Sequence, residues 1–255
     1  MAVTNGLKLG SAVLPGTHRK LSSFTELVLP NSAGLKGLYL INGNSPASLK
    51  NYADPAKPLT VVGSPSFGTF GATLDSSNYF NTGLVEDVNR TWLVIVAPKP
   101  ITATVDRACL VSNRRFEPGS GFFRGDAMQW EETRVLQNRY DRTQVTSGQA
   151  PGMFITGAVM TAWNGFAGVV QADGVARTGW RKNGTTTWTA DSVAGARTVY
   201  PDFPILIGGT YTGDASSSTV ALVAMHDAAL TKAEIEANFT YLSGWLVALS
   251  GIAPF

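Results

Sequence analysis

Short β-prone runs recur along this chain, each stopped by Gly, Pro or Asn, and that pattern constrains the fold more than any other feature. The strongest run is Thr91-Trp92-Leu93-Val94-Ile95-Val96-Ala97, closed by Pro98. It is apolar at consecutive positions, so it predicts a central strand covered on both faces. Gly37-Leu38-Tyr39-Leu40-Ile41 ends at Asn42-Gly43-Asn44, and Leu59-Thr60-Val61-Val62 ends at Gly63-Ser64-Pro65. Strands at 72–75 and 79–82 flank a Ser76-Ser77-Asn78 turn. Further strands are predicted at 107–112, 121–124, 153–160, 166–171, 175–182, 185–189, 204–208 and 219–226. With 27 Gly and 13 Pro in 255 residues, little room is left for long helices, which excludes a coiled coil or a helical bundle. The charged fraction of 15% excludes a charged disordered chain. The length suits one large all-β domain with a sizeable core.

Two local signals are sharper. Arg181-Lys182-Asn183-Gly184-Thr185-Thr186 predicts a hairpin with a type I′ turn, because both central residues need φ > 0. That register pairs Lys182 with Thr185, Trp180 with Thr187 and Gly179 with Trp188. Trp180 and Trp188 then face opposite sides, one toward the core and one covering Gly179 or free to bind. Near the end, Thr231-Lys232-Ala233-Glu234 is a capping box, and Ile235, Phe239, Leu242 and Leu246 follow at helical spacing. A helix over about 231–249 is predicted, packed outside a sandwich.

Residues 1–33 are broken by Gly10, Pro15, Gly16 and Pro30 and hold too few apolar residues for a core, so they read as an N-terminal docking arm. The net charge of +2 gives no broad basic field, and no nucleic-acid partner is expected. No apolar stretch approaches the ~20 residues that span a bilayer, so no membrane insertion is expected. The N-terminus lacks a basic segment followed by an apolar one, which predicts synthesis in a cytoplasm without a signal peptide. Cys109, in Ala108-Cys109-Leu110-Val111, reads as a buried strand thiol.

Several segments in order carry a family resemblance. Gly37-Leu38-Tyr39-Leu40-Ile41-Asn42-Gly43-Asn44, Val61-Val62-Gly63-Ser64-Pro65, Tyr79-Phe80-Asn81-Thr82-Gly83-Leu84, Trp180-Arg181-Lys182-Asn183-Gly184 and the ending Ala221–Ile235 together resemble laminin G-like, concanavalin A-like lectin–glucanase domains. The resemblance implies an all-β jelly-roll sandwich of two antiparallel sheets with one C-terminal helix, over 34–250. The start and the extended ending are similar to versions in bacteriophage virion proteins. That implies location on a virion, assembly with other virion proteins through the arm, and a homo-oligomer, taken as a trimer.

The site chemistry is sparser. The family's hydrolases carry a Glu-x-Asp-x-x-Glu strand, and the sequence has none. Glu86-Asp87 and Glu131-Glu132 are adjacent pairs, which a strand points to opposite faces, whereas glycoside cleavage needs two carboxylates across one bond. No catalytic residue is therefore assigned, and the chain is expected not to be an enzyme. Asp54, Asp75, Asn78, Asp173 and Asp214 are isolated oxygen ligands and the two His stand apart, so neither metal nor cofactor is expected, a calcium site assembled from several loops being the alternative. Aromatic residues are the better handle, since sugars stack on their faces. Trp130, Trp163, Trp188 and Tyr211 are the carbohydrate-binding candidates, with Trp130 foremost because Gln129, Glu131, Glu132 and Arg134 surround it. At least four of the six Trp are expected to be largely buried. The Arg-rich region 113–150 reads as a functional face or as an inter-subunit surface, with Arg114, Arg115 and Arg124 as the oligomer-contact candidates. The function expected is a non-enzymatic structural or adhesion component of a phage tail or capsid surface, bracing the particle or touching bacterial surface polysaccharide. The alternative is a polysaccharide-cleaving enzyme on the same fold.

Overall fold

A computed structural model describes residues 27–41, 43, 46–98, 107–119, 122–131, 135–140, 153–155, 162–193, 195–211 and 216–250. Their strands form a nine-stranded and a seven-stranded sheet, both antiparallel, plus a separate two-stranded ribbon. The first sheet runs Thr185–Trp188, Val175–Lys182, Asn164–Val170, Arg90–Pro98, Ser218–His226, Ala72–Leu74, Ser66–Phe67. Leu35–Leu40 also pairs with Ser218–His226, and Ser192–Val193 with Val175–Lys182. The second sheet runs Met153–Ile155, Val135–Arg139, Ala127–Glu131, Arg107–Ser112, Leu206–Ile207, Tyr79–Asn81, Thr60–Val62. The fold is the all-β sandwich with one C-terminal helix that the sequence predicts.

The unbroken apolar run of Arg90–Pro98 is explained by what covers it. Trp92, Val94 and Val96 point between the sheets, beside Phe166 of the neighbouring strand and onto Leu110, Met128, Trp130 and Leu136 of the facing sheet. Leu93 and Ile95 point the other way, under the helix Lys232–Ser250, where Ile235, Phe239, Leu242 and Leu246 close over them. Each such side chain contributes about 1.5–3 kcal/mol on burial. The sheet is thus covered on both faces, and alternation disappears from its central strands.

The local predictions meet the structure in detail. The hairpin pairs Gly179 with Trp188, Trp180 with Thr187 and Lys182 with Thr185, with φ of +51° at Asn183 and +79° at Gly184. Trp180 leans on the inter-sheet core, its Nε1 donating to Asn164 Oδ1 at 2.9 Å. Trp188 covers Gly179 on the helix side, and a Cβ there would lie 2.7 Å from its ring. At the helix start, the Glu234 amide donates to Thr231 Oγ1 at 3.3 Å, and the Thr231 amide to Glu234 Oε2 at 2.7 Å, the reciprocal capping bonds. Of the expected arm, 1–26 lie outside the described residues. Leu27 and Leu29 are buried against the helix layer, and Asn31 exchanges backbone bonds with the Asn238 side chain at 2.9 Å.

All six Trp are buried or partly buried, and none is exposed. Trp92 and Trp130 are fully enclosed, while Trp163, Trp180, Trp188 and Trp245 are half-buried at the margins of the two cores. Indoles at a sheet edge or a helix rim bury one face and leave the other wet.

Candidate functional site

Trp130, the foremost sugar-binding candidate, is corrected by the structure. It is 0% exposed, between the sheets, with its ring 5.6 Å from that of Phe166. Strand alternation is the reason: Met128 and Trp130 of Ala127–Glu131 point inward while Gln129 points outward. Polar neighbours at i ± 1 therefore report the other face of the sheet. Cys109 and Gln129, paired on that outer face, are buried as well. Trp163 and Trp188 are half-buried beside the helix layer, and the Trp188 Nε1 donates to Glu236 Oε1 at 2.9 Å.

Tyr211 has a different setting. The chain leaves Arg107–Ser112 into a two-stranded ribbon, Arg115–Glu117 paired with Phe122–Arg124. The Tyr211 amide donates to the Arg114 carbonyl at 3.1 Å, tying the 200–211 segment to the base of this ribbon. The fold thereby joins the sugar candidate Tyr211 and the oligomer candidates Arg114, Arg115 and Arg124 in one cluster. Tyr200, Phe203, Phe116 and Phe123 belong to it, and no sequence signal used above singled them out. The Phe203 and Tyr211 rings meet edge to face at 5.5 Å and 83°. The Tyr211 hydroxyl donates to the Pro204 carbonyl at 3.1 Å, and burial raises its pKa above the ordinary phenol value.

The guanidiniums are held by aromatic faces. Arg115 lies 3.5 Å over Phe203 and 5.6 Å from the Tyr200 ring. Arg114 is buried, 4.5 Å over Phe123, with Nη1 3.5 Å from Gln129 Oε1, which leaves Arg115 and Arg124 as the more accessible of the three. Arg124 Nε donates to Glu117 Oε2 at 3.2 Å. Arg115 makes no ion pair among the described residues. Phe116 and Phe123 pair across the ribbon at 5.5 Å and stay 47% and 40% exposed, and Tyr211 is 38% exposed. The cluster can offer flat apolar faces and a fixed planar donor to one ligand.

A second arrangement lies in the interior. Arg197 Nη2 donates to Glu86 Oε2 at 2.6 Å and to Asp126 Oδ2 at 2.8 Å. Arg90 also bonds Asp126, and Asn113 bonds Glu86. Burial and the Asp126 charge push the Glu86 carboxyl up to about 8, against the pull of Arg197, Asn113 and Arg90. Two carboxylates with one pKa raised is the electrostatic pattern of an acid–base pair. Here the Glu86, Asp126 and Arg197 side chains are all fully enclosed. Among the described residues no group of three His, Cys, Asp or Glu is placed to hold a metal. Asp54, Asp75 and Asp173 accept backbone amides in their own turns, and Asp214 lies outside the described residues.

No family model matches the chain, and no curated protein matches it. Solved structures do. Trypanosoma rangeli sialidase in complex with sialic acid aligns over 89% of this chain and 35% of its own, at 13% identity and a TM-score of 0.55. Domain 4 of a GH43 extracellular arabinanase from Geobacillus stearothermophilus, in complex with arabinotriose, aligns over 80% of this chain and 97% of its own, at 14% identity and a TM-score of 0.56. The botulinum neurotoxin type G receptor binding domain aligns over 83% and 52%, at 11% identity and a TM-score of 0.53. The chain spans about a third of the length of the sialidases it matches. At these identities the likeness is one of fold alone, an antiparallel β-sandwich. The expectation that the chain is not an enzyme is overturned here, because glycoside hydrolases stand among the structures that share its fold.

Proposed function

We propose that this chain is a glycan-recognising β-sandwich that serves polysaccharide cleavage, and that sugar is held at the Arg115–Phe203–Tyr211 cluster. The observation that carries the reading is the cluster itself. Partly exposed aromatic faces stand next to a guanidinium whose orientation is set by stacking rather than by a carboxylate. Sugar rings present apolar C–H faces and hydroxyls, and this pairing of flat rings with a fixed donor suits both. The fold's presence in a sialidase and in an arabinanase domain bound to arabinotriose supports the same direction.

The finer setting, a phage particle that meets bacterial surface polysaccharide, belongs to this proposal and rests on the resemblance of the chain's ending to virion versions. Calorimetric titration against a panel of bacterial surface polysaccharides, with reducing ends assayed in parallel, tests the function. Saturable binding that weakens roughly tenfold in Tyr211→Ala and in Phe203→Ala is the expected result, one lost stacking face being worth about 1.4 kcal/mol. Absence of saturable binding across the panel refutes it.

A further inference from the structure

The cluster also specifies the charge of its ligand. Arg115 and Arg124 sit directly opposite each other across the two-stranded ribbon. Like charges facing across a ladder are destabilising, so this pairing is maintained against its own repulsion. Glu117 offsets Arg124 through the 3.2 Å contact with its Nε. Arg115 has no carboxylate partner among the described residues, and its plane is stacked over Phe203 with Tyr200 near by. Stacking of this kind occupies the face of the guanidinium and leaves its in-plane N–H donors directed outward. A planar fork of donors beside rings that hold a sugar face is matched by a planar carboxylate carried on that sugar.

We infer that the ligand is an acidic glycan, one whose sugar bears a carboxylate that pairs with Arg115 while the ring packs on Phe203 and Tyr211. This rests on the glycan-binding reading above. It goes beyond it by fixing the chemical class and by making Arg115 the specificity-determining residue. Carboxylated sugars come as uronic acids and as sialic acids, and both present the group the fork would grip.

The test uses the full chain with trigalacturonic acid and with 3′-sialyllactose, each against a neutral counterpart: the methyl-esterified trisaccharide and lactose. At least one acid should bind ten times or more tightly than its neutral counterpart, and which one does so identifies the source of the carboxylate. Raising the salt from about 0.05 to about 0.5 M should weaken that binding several-fold, through screening. Arg115→Ala should abolish the preference for acid over neutral sugar, and Arg115→Lys should retain part of it, because a point charge cannot reproduce the fork. Thermal unfolding of both variants reads whether the ribbon persists. Neutral and acidic sugars binding alike overturns the inference while leaving glycan recognition standing. Loss of binding to every glycan overturns both. Self-association of the chain that Arg115→Ala abolishes, with no acidic-sugar preference in the wild type, overturns it in favour of an interface between copies.

Discussion

Replacing Trp130 with Ala separates a core indole from a binding platform, because the two roles predict opposite outcomes. The ring is fully enclosed, facing Phe166 at 5.6 Å and an interplanar angle of 32°, on a strand whose partners opposite Trp130 are Ala108 and Leu136. Deleting it removes the transfer energy of a large aromatic and leaves a cavity between two sheets that cannot collapse onto it, at a cost of about 3–5 kcal/mol. One term works in the opposite direction. The Trp130 Nε1 is buried with no hydrogen-bond partner among the described residues, and such an orphan donor costs about 1–3 kcal/mol. Trp130→Phe removes that donor while keeping most of the ring, so its loss of stability should be no more than about 1 kcal/mol. Urea unfolding of the three proteins measures the difference as a shift in midpoint at constant slope. Glycan affinity of Trp130→Phe should equal that of the wild type. A Trp130→Ala protein as stable as the wild type but unable to bind glycan would refute the core assignment.

Arg197→Met should destabilise the fold by about 3–5 kcal/mol, since it strips Glu86 and Asp126 of the guanidinium they share inside the protein; an unchanged midpoint would mean the network is not closed to water. Glu86 also sets a pH dependence. Its folded pKa of about 8 lies above the ordinary 4.5, so the folded state holds a proton that the unfolded chain releases, and stability declines as pH rises through that window. Burial lowers His226, which acts in the opposite sense but only below 6.5. Between pH 6.5 and 8 the Glu86 contribution should therefore decline by roughly 1.4 kcal/mol per pH unit at most, and a midpoint that rises across that interval would contradict it. Thr231→Ala should cost about 1 kcal/mol by removing the N-cap of the helix, read by the same urea titration, and no loss would deny the cap a role.

The elements that were legible in the sequence are those whose signal is local. The Asn183-Gly184 turn fixes its own register through φ > 0, and the Thr231–Glu234 box fixes the start of its helix. The run through Trp92 and Val96 declares a strand buried on both faces. The strands Ala127–Glu131 and Val135–Arg139 were missed because polar residues on their outward positions made the region read as a surface. Alternation at Met128 and Trp130, with Leu136 on the next strand, was the available signal. The candidate site was legible only in pieces. Arg114, Arg115, Arg124 and Tyr211 stood out singly, but their meeting with Tyr200 and Phe203 depends on long-range pairing between the 113–124 and 200–211 segments. The Glu86–Asp126 pair is likewise created by the fold, being bridged by Arg197, which is remote from both in sequence.

A crystal structure of the chain soaked with the tighter-binding of trigalacturonic acid and 3′-sialyllactose tests the central claim most directly. The sugar should lie against Phe203 and Tyr211, with its carboxylate oxygens within hydrogen-bond distance of the Arg115 guanidinium. A sugar bound beside Trp163 and Trp188, with the Arg115 cluster empty at saturating ligand, would contradict it.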